Sequence, residues 1–186
     1  MLGPPWGTPA AAWVCDGRVI HVTEPALPQL VSLLLAYSPV ALVCSTVRDR
    51  DDSTMIVKAL LDRTDPMCSA FLDDVADALC ESWFGCPRWT AQEIWWRALG
   101  NWAMVDGELS MRGVDVMSMP APRATNTIRA LLLKWAAGDE TRVEKLTHDF
   151  DTPPARVAAK EAVRGVAVEE AAHDWNAVMA LASKHR

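Results

Sequence analysis

The stretch Trp89-Thr-Ala-Gln-Glu-Ile-Trp-Trp-Arg-Ala-Leu-Gly-Asn-Trp102 contains four of the nine tryptophans in the chain. Trp95 and Trp102 are seven residues apart, which places them on one face of an α-helix because seven residues make almost two turns. We therefore expect both indoles to lie in the hydrophobic core. Trp96 is turned by about 100° from Trp95, so it either flanks the buried face or is an exposed anchor for a partner.

The bounds of this helix are predicted from residues at its ends. Thr90 and Glu93 have the spacing of a capping box, in which the Thr90 side chain accepts a hydrogen bond from the Glu93 amide and the Glu93 side chain reaches back. The helix is predicted to begin there and to continue past Gly107 to Met111. Gly113 readily adopts a positive φ, so it is expected to end the helix.

A second amphipathic helix is predicted immediately before this stretch. Asp65-Pro66 is a helix-start signal, with Asp as the cap and Pro at the first helical position. Apolar residues then recur about every four positions as far as Trp83, and Gly85 ends the pattern. The acids from Asp73 to Glu81 are predicted to form an exposed acidic face, which would steer basic stretches of a partner.

The N-terminal part combines a hairpin with short helices. Asp16-Gly17 lies between two β-prone runs and supplies the positive φ values that a tight hairpin turn requires. Thr23 is expected to cap the helix that follows, and Ser38-Pro39 to end it. The pattern of residues 40–47 fits a helix or a strand, and periodicity does not decide between them.

Further helices are predicted after the tryptophan-rich stretch, at about 123–137 and 140–149. Residues 152–186 are rich in alanine and valine and predict a long helix with a narrow apolar stripe. The fold class is therefore mainly α: a multi-helix orthogonal bundle with a small N-terminal β-hairpin and a long C-terminal helix. We expect a helical domain over 1–150 and a helical extension over 151–186.

The composition argues against two classes of partner. The net charge of −6 does not favour binding to nucleic acid, which requires a basic surface. Residues 25–47 carry no charge, but three prolines and several polar residues interrupt the run. A membrane-spanning helix needs about 20 predominantly apolar residues, so no membrane association is expected.

The five cysteines are expected to be reduced and mostly buried. Their number is odd, and they are scattered along the chain without close pairing. The first residues, Met-Leu-Gly-Pro-Pro-Trp, have neither a charged nor an apolar signal region, so we expect no signal peptide. Both observations favour a reducing cytoplasm. The cysteines are Cys15, Cys44, Cys68, Cys80 and Cys86.

No set of residues predicts catalysis or metal binding. The dipeptides His148-Asp149 and His173-Asp174 resemble parts of metal phosphohydrolase sites, but those sites need further His and Asp on neighbouring helices. Cys80 and Cys86 lack a second thiol pair at zinc-finger spacing. We assign no catalytic residue, no metal site and no cofactor, and we expect a protein that is not an enzyme.

The residues assigned to partner binding are Trp96 and four methionines. Methionine repacks around varied partners, and Met104, Met111, Met117 and Met119 follow one another over a short distance. Together with Trp96 they exceed what one helix stripe can bury. Ordinary filling of the core is the alternative for the methionines.

Several motifs resemble tail assembly proteins of phages that infect actinobacteria. The resemblance covers roughly residues 13–37 and 88–155. It is carried by Asp16-Gly-Arg-Val-Ile, the tryptophan-rich stretch 89–102, Asp106-Gly-Glu-Leu, Arg112-Gly-Val-Asp-Val116, Met119-Pro and Arg123-Ala-Thr-Asn-Thr-Ile-Arg-Ala-Leu-Leu132.

The resemblance implies a tail assembly chaperone that acts in the host cytoplasm. Such proteins bind the long helical tape-measure protein, keep it soluble and help tail-tube subunits to polymerise around it. The family has no catalytic residues to transfer to this chain. Self-association is left open.

Two other functions fit the same sequence. The first is a structural virion component, such as a head–tail connector or a minor tail protein, which would be present in purified particles. The second is a small helical ligand-binding protein or enzyme with a tryptophan-lined pocket, for which a ligand would raise the melting temperature.

Overall fold

The computed structural model describes residues 8–62, 69–160 and 162–163, and the chain divides into two compact units, 1–151 and 152–186. The described part of the first unit is mainly helical with one hairpin, which confirms the predicted fold class. Its elements are β1 (Ala12–Cys15), β2 (Arg18–His21), α1 (Leu27–Leu35), α2 (Pro39–Thr46), α3 (Arg50–Leu61), α4 (Ser69–Phe84), α5 (Arg88–Gly100), α6 (Trp102–Ser110), α7 (Ala121–Ala136) and α8 (Glu140–Asp151).

In the second unit, residues 155–160 are helical, as are 162 and 163. The remainder of the predicted C-terminal helix lies outside the described residues. The same holds for the predicted helix start at Asp65-Pro66 and for Cys68.

The predicted hairpin is present and its turn has the expected geometry. β1 and β2 are antiparallel, with Cys15 opposite Arg18 on either side of a two-residue loop. Asp16 and Gly17 have φ values of 47° and 77°. Positive φ at both central positions is typical of a type I′ turn, which matches the twist of the two strands.

A two-stranded hairpin is too small to be stable alone, and here it is fixed to two helical segments. Val22 forms a β-bridge with Val47 at the end of α2. The Trp83 indole on α4 donates a hydrogen bond of 3.2 Å to the Ala10 carbonyl. The Ser82 hydroxyl accepts one of 2.7 Å from the Ala10 amide.

The segment 40–47 is helical. The Ser38 side chain accepts a hydrogen bond of 3.2 Å from the Ala41 amide, and Pro39 occupies the first turn of α2. Cap and proline together favour a helix where the apolar pattern was ambiguous. The predicted cap at Thr23 is wrong, because α1 begins at Leu27 without any side-chain cap.

The predicted continuous helix from Thr90 to Met111 is interrupted. Asn101 has φ −129° and ψ 30°, outside the helical region, and separates α5 from α6. The face of α5 therefore does not continue into α6. Trp95 is fully buried as predicted, whereas Trp102 is only half-buried against the core.

Helix α5 is central to the described part of the first unit, since it packs against α1, α4, α7 and α8. The largest fully buried side chains are Trp83, Trp95, Phe84 and Phe150. Among the described residues, no helix has the length and apolar character needed to cross a membrane.

Candidate protein-binding surface

Two polar side chains of α5 hold the ends of other helices. The Thr90 hydroxyl donates a hydrogen bond of 2.6 Å to the Phe150 carbonyl, in the last turn of α8. The Gln92 amide donates one of 3.0 Å to the Leu34 carbonyl, in the last turn of α1. Carbonyls in a last turn have no partner within their own helix. The predicted capping box is therefore wrong, because the Thr90 hydroxyl serves α8 instead of its own helix.

Two further side chains of α5 fix the positions of α7 and α8. The Trp95 indole donates a hydrogen bond of 3.0 Å to the Thr125 hydroxyl on α7. Arg97 forms ion pairs with Asp149 on α8 at 2.7 Å and with Glu93 one turn earlier at 2.6 Å. Because these contacts join three helices, they set the distance between the walls of the cleft described next.

A cavity of about 650 Å³ lies where the end of α5, α6, α7 and α8 meet. We call it the α6–α8 cleft. Its volume is typical of ligand-binding clefts in proteins. The cleft is lined by Arg97, Asn101, Met104, Leu132, Trp135, Arg142, Lys145, Leu146 and Asp149.

A second depression of about 440 Å³, which we call the α6 groove, runs along α6. Met104 and Met111 line this groove, together with residues of α6 that lie between them. Met104 is 62% exposed and Met111 is 84% exposed. Met104 and Trp135 border both the groove and the cleft. The two depressions are therefore adjacent and share an apolar border.

Glu108 holds the Trp135 indole in place at this border. Its carboxylate accepts hydrogen bonds from the Trp135 indole and from Lys134, the latter at 2.9 Å, and it also pairs with Arg112. The hydrogen bonds from Lys134 and Trp135 hold the pKa of Glu108 below its ordinary value of 4.5. Glu108 is therefore ionised at neutral pH, and the Trp135 N–H is satisfied within the protein.

The rim of the α6–α8 cleft is positively charged. Three bases and one acid line it, although the chain as a whole has a net charge of −6. The charge of Arg97 is balanced by its two carboxylate partners. Arg142 and Lys145 are exposed, and neither forms an ion pair with another described residue.

The residues that the sequence assigned to partner binding fall into an exposed group and a half-buried group. Trp96 is 57% exposed, so it does not flank a buried face, and its role as an anchor for a partner stays a prediction. Met104 on α6 and Met111, which directly follows this helix, are both exposed. Met117 and Met119 are half-buried against the core, and neither lines the cleft or the groove. Both contact the core, as the core-filling alternative predicts, and the partner-binding role of the five residues stays a prediction.

The prediction of an acidic outer face on α4 needs correction. Arg88 is buried and forms ion pairs of 2.7 Å with Asp73 and with Asp77, one turn apart on α4. These two carboxylates are therefore half-buried and balanced by a cation. Burying a charge is costly unless it is paired, so this contact attaches α5 to α4 and leaves less negative charge to steer a partner.

Cys44, Cys80 and Cys86 are present as thiols. Burial raises the pKa of Cys80 and of Cys86 to about 12, so both thiols are protonated at neutral pH. Cys80 is fully buried, but Cys15, Cys44 and Cys86 are half-buried. The prediction that most cysteines are buried is therefore confirmed fully only for Cys80 among the described cysteines.

In the described ranges, no group of three or more His, Cys, Asp or Glu side chains is arranged to hold a metal ion. His148 is exposed on α8. The dipeptide His173-Asp174 lies outside the described residues.

No protein-family model matches the chain, and no curated protein or solved structure matches it either. Any inference about function therefore depends on the sequence motifs and on the surface described above.

Sequence reasoning missed Trp135, Arg142 and Lys145. Arg142 and Lys145 are three residues apart, which places them on one face of α8 and is a usable signal. Their position in the same cleft as Met104 depends on how α5, α6, α7 and α8 meet, and no local pattern encodes it.

Proposed function

We propose that this chain is a phage tail assembly chaperone, acting in the host cytoplasm, that binds a helical segment of the tape-measure protein and assists polymerisation of the tail-tube subunits. The observation that supports binding is the exposed apolar border of the cleft and groove. Met104 and Met111 lie there at the surface beside Trp135, and Trp96 is exposed on α5. Exposed apolar groups beside a groove are typical of protein-binding sites.

The shape of this surface suits a helical client. An amphipathic helix presents large side chains one or two turns apart, and it binds by laying them into a groove. The cleft and the groove offer two adjacent depressions on either side of Met104 and Trp135. Methionine side chains adjust to the varied apolar faces of a long client. Binding of this kind requires no catalytic group and no cofactor.

Co-expression with the tape-measure protein of the same phage genome tests the proposal. The wild-type chain should raise the soluble fraction of the client severalfold. Met104→Ala should reduce that gain, because Met104 supplies apolar area to both depressions. Trp96→Ala should reduce it as well, because Trp96 is exposed on α5 next to Arg97, which lines the cleft. Leu61→Ala is the matched control, since Leu61 is 79% exposed on α3 and borders neither depression. It should keep the full gain.

The melting temperatures of the three variants should stay close to that of the wild type, because exposed substitutions usually change stability by about 0.5 kcal/mol or less. If the wild type leaves the client insoluble, the chaperone proposal is wrong. Finding the chain in purified particles would instead favour a structural virion component.

A further inference from the structure

The α6–α8 cleft combines an apolar interior with unbalanced positive charge. Met104 supplies exposed apolar area, the Trp135 ring beside it is half-buried, and Leu132 and Leu146 are almost fully buried. The Trp135 N–H is already bonded to Glu108. The indole therefore offers a ligand its ring and not its donor.

The positive charge lies along one edge. Arg142 and Lys145 are one turn apart on α8, and neither has an ionic partner in the part of the chain that the structure describes. A helix that enters the cleft with carboxylates three or four residues apart would match this spacing. Its apolar face would then lie on Met104 and Trp135.

We propose that the α6–α8 cleft binds an acidic amphipathic helix of a partner protein, an inference that rests on the proposed function and specifies the chemistry of the client segment. Complementary charge across an interface gives specificity and accelerates association. Arg142 and Lys145 select the acidic face of the helix, and Met104 and Trp135 bind its apolar face.

This inference reverses the charge that the sequence alone predicts for the client. The acidic residues of α4 predicted attraction to basic stretches, but Asp73 and Asp77 are held by Arg88. The unbalanced charge beside the apolar surface is positive. A nucleic acid fits less well, because the site has two unbalanced cations in a chain of net charge −6.

Two synthetic peptides of about 18 residues, five helical turns, provide the test with the full-length chain. Both carry Leu and Trp at helical spacing on one face. The first has Glu at flanking positions one turn apart, and the second has Gln at the same positions. Fluorescence anisotropy measures their Kd values at low and at high salt. The Glu peptide should bind about tenfold more tightly at low salt, and this advantage should shrink at high salt.

The matched variants change the net charge of the protein equally. Arg142→Glu with Lys145→Glu should weaken binding of the Glu peptide about tenfold or more, because it replaces two attractions with two repulsions. The control is Arg48→Glu with Arg123→Glu, two exposed cations that border neither depression. Its Kd should stay within about twofold of the wild-type value, since distant exposed charges are screened.

Equal Kd values for the Glu and Gln peptides, or equal losses in the two double variants, would overturn the inference. A Glu peptide that binds neither variant nor wild type would do so as well. If sedimentation shows that the wild type is a dimer and that Met104→Asp makes it monomeric, the cleft is occupied by a second copy, and the inference is also wrong.

The two proposals can fail separately. If the Glu peptide does not bind but the chain still solubilises the tape-measure protein through Met104, only the acidic-helix inference is wrong. If the peptide binds in a charge-dependent way but the chain does not solubilise the tape-measure protein, the chaperone proposal is wrong and the acidic-helix inference stands.

Discussion

At the scale of single residues, Trp95 and Trp102 show how one irregular position changes the environment of a side chain. Their spacing predicted the same buried face. Asn101 leaves the helical conformation between them, so only Trp95 reaches the interior, where its indole bonds to Thr125. Trp96, adjacent to Trp95, remains exposed.

Three alanine substitutions should separate these environments. Trp95→Ala should lower the free energy of unfolding by about 3–5 kcal/mol, because it leaves a large cavity and removes a buried hydrogen bond. Trp102→Ala should cost about 1–2 kcal/mol, and Trp96→Ala about 0.5 kcal/mol or less. Urea denaturation measures all three. Equal losses for Trp95→Ala and Trp96→Ala would contradict the assignment of Trp96 to the surface.

The four methionines show that the position of a side chain can be predicted from sequence spacing only where the backbone is a regular helix. Met104 and Met111 lie on a regular helix or at its end, where spacing indicates a shared face. Met117 lies in the short 3-10 turn Val116–Ser118, and Met119 follows that turn. Periodicity defines no face there, so sequence alone had no means of placing these two side chains against the core.

At the scale of elements, the last turns of α1 and α8 are held by side chains of α5 that are far away in the sequence. A capping box is a local motif, and Thr90 and Glu93 satisfy its spacing. The Thr90 hydroxyl nevertheless bonds to Phe150, 60 residues away, and Gln92 bonds to Leu34, 58 residues away. Local motifs cannot reveal such pairs, because the acceptor is brought close only by packing.

Thr90→Val should measure the contribution of this contact. The change keeps the shape of the side chain but leaves the buried Phe150 carbonyl without its donor, so we expect a loss of about 1–3 kcal/mol in the free energy of unfolding. Thr127→Val is the control, because the Thr127 hydroxyl bonds only within its own helix, to the Arg123 carbonyl. If both variants lose the same stability, the tertiary bond contributes nothing beyond the loss of a hydroxyl.

At the scale of the whole molecule, the fold class was predictable and the cleft was not. Apolar periodicity and the turn residues Asp16-Gly17, Ser38-Pro39, Gly85 and Gly113 indicated where elements begin and end. The α6–α8 cleft depends on the convergence of four helices, α5 to α8, and the ion pairs of Arg88 depend on the packing of α5 against α4. Sequence patterns give the faces of helices but not which faces meet.

Cys80 reports on unfolding of the whole core. Its side chain is fully buried, and burial raises its pKa to about 12. The thiol is therefore protonated at pH 8, and its burial keeps reagents away from the sulfur in the folded state. Alkylation of Cys80, followed by mass spectrometry, should therefore occur only through global unfolding and accelerate as urea is added.

Half-buried Cys44 is the internal comparison and should react earlier. The intact mass without reductant should correspond to five thiols. Rapid alkylation of Cys80 in the absence of urea would show that α4 opens locally.

The central position of α5 has a consequence for synthesis on the ribosome. The partners of α5 lie on both sides of it in the chain: α1 and α4 emerge before it, and α7 and α8 emerge after it. At translation rates of 5–20 residues per second, about 50 residues separate Gly100 from Phe150 and require about 3–10 s. During this interval the nascent chain carries a tryptophan-rich helix, but α7 and α8 have not yet been synthesised. The apolar faces of α5 that later contact them are therefore exposed to other proteins in the cell.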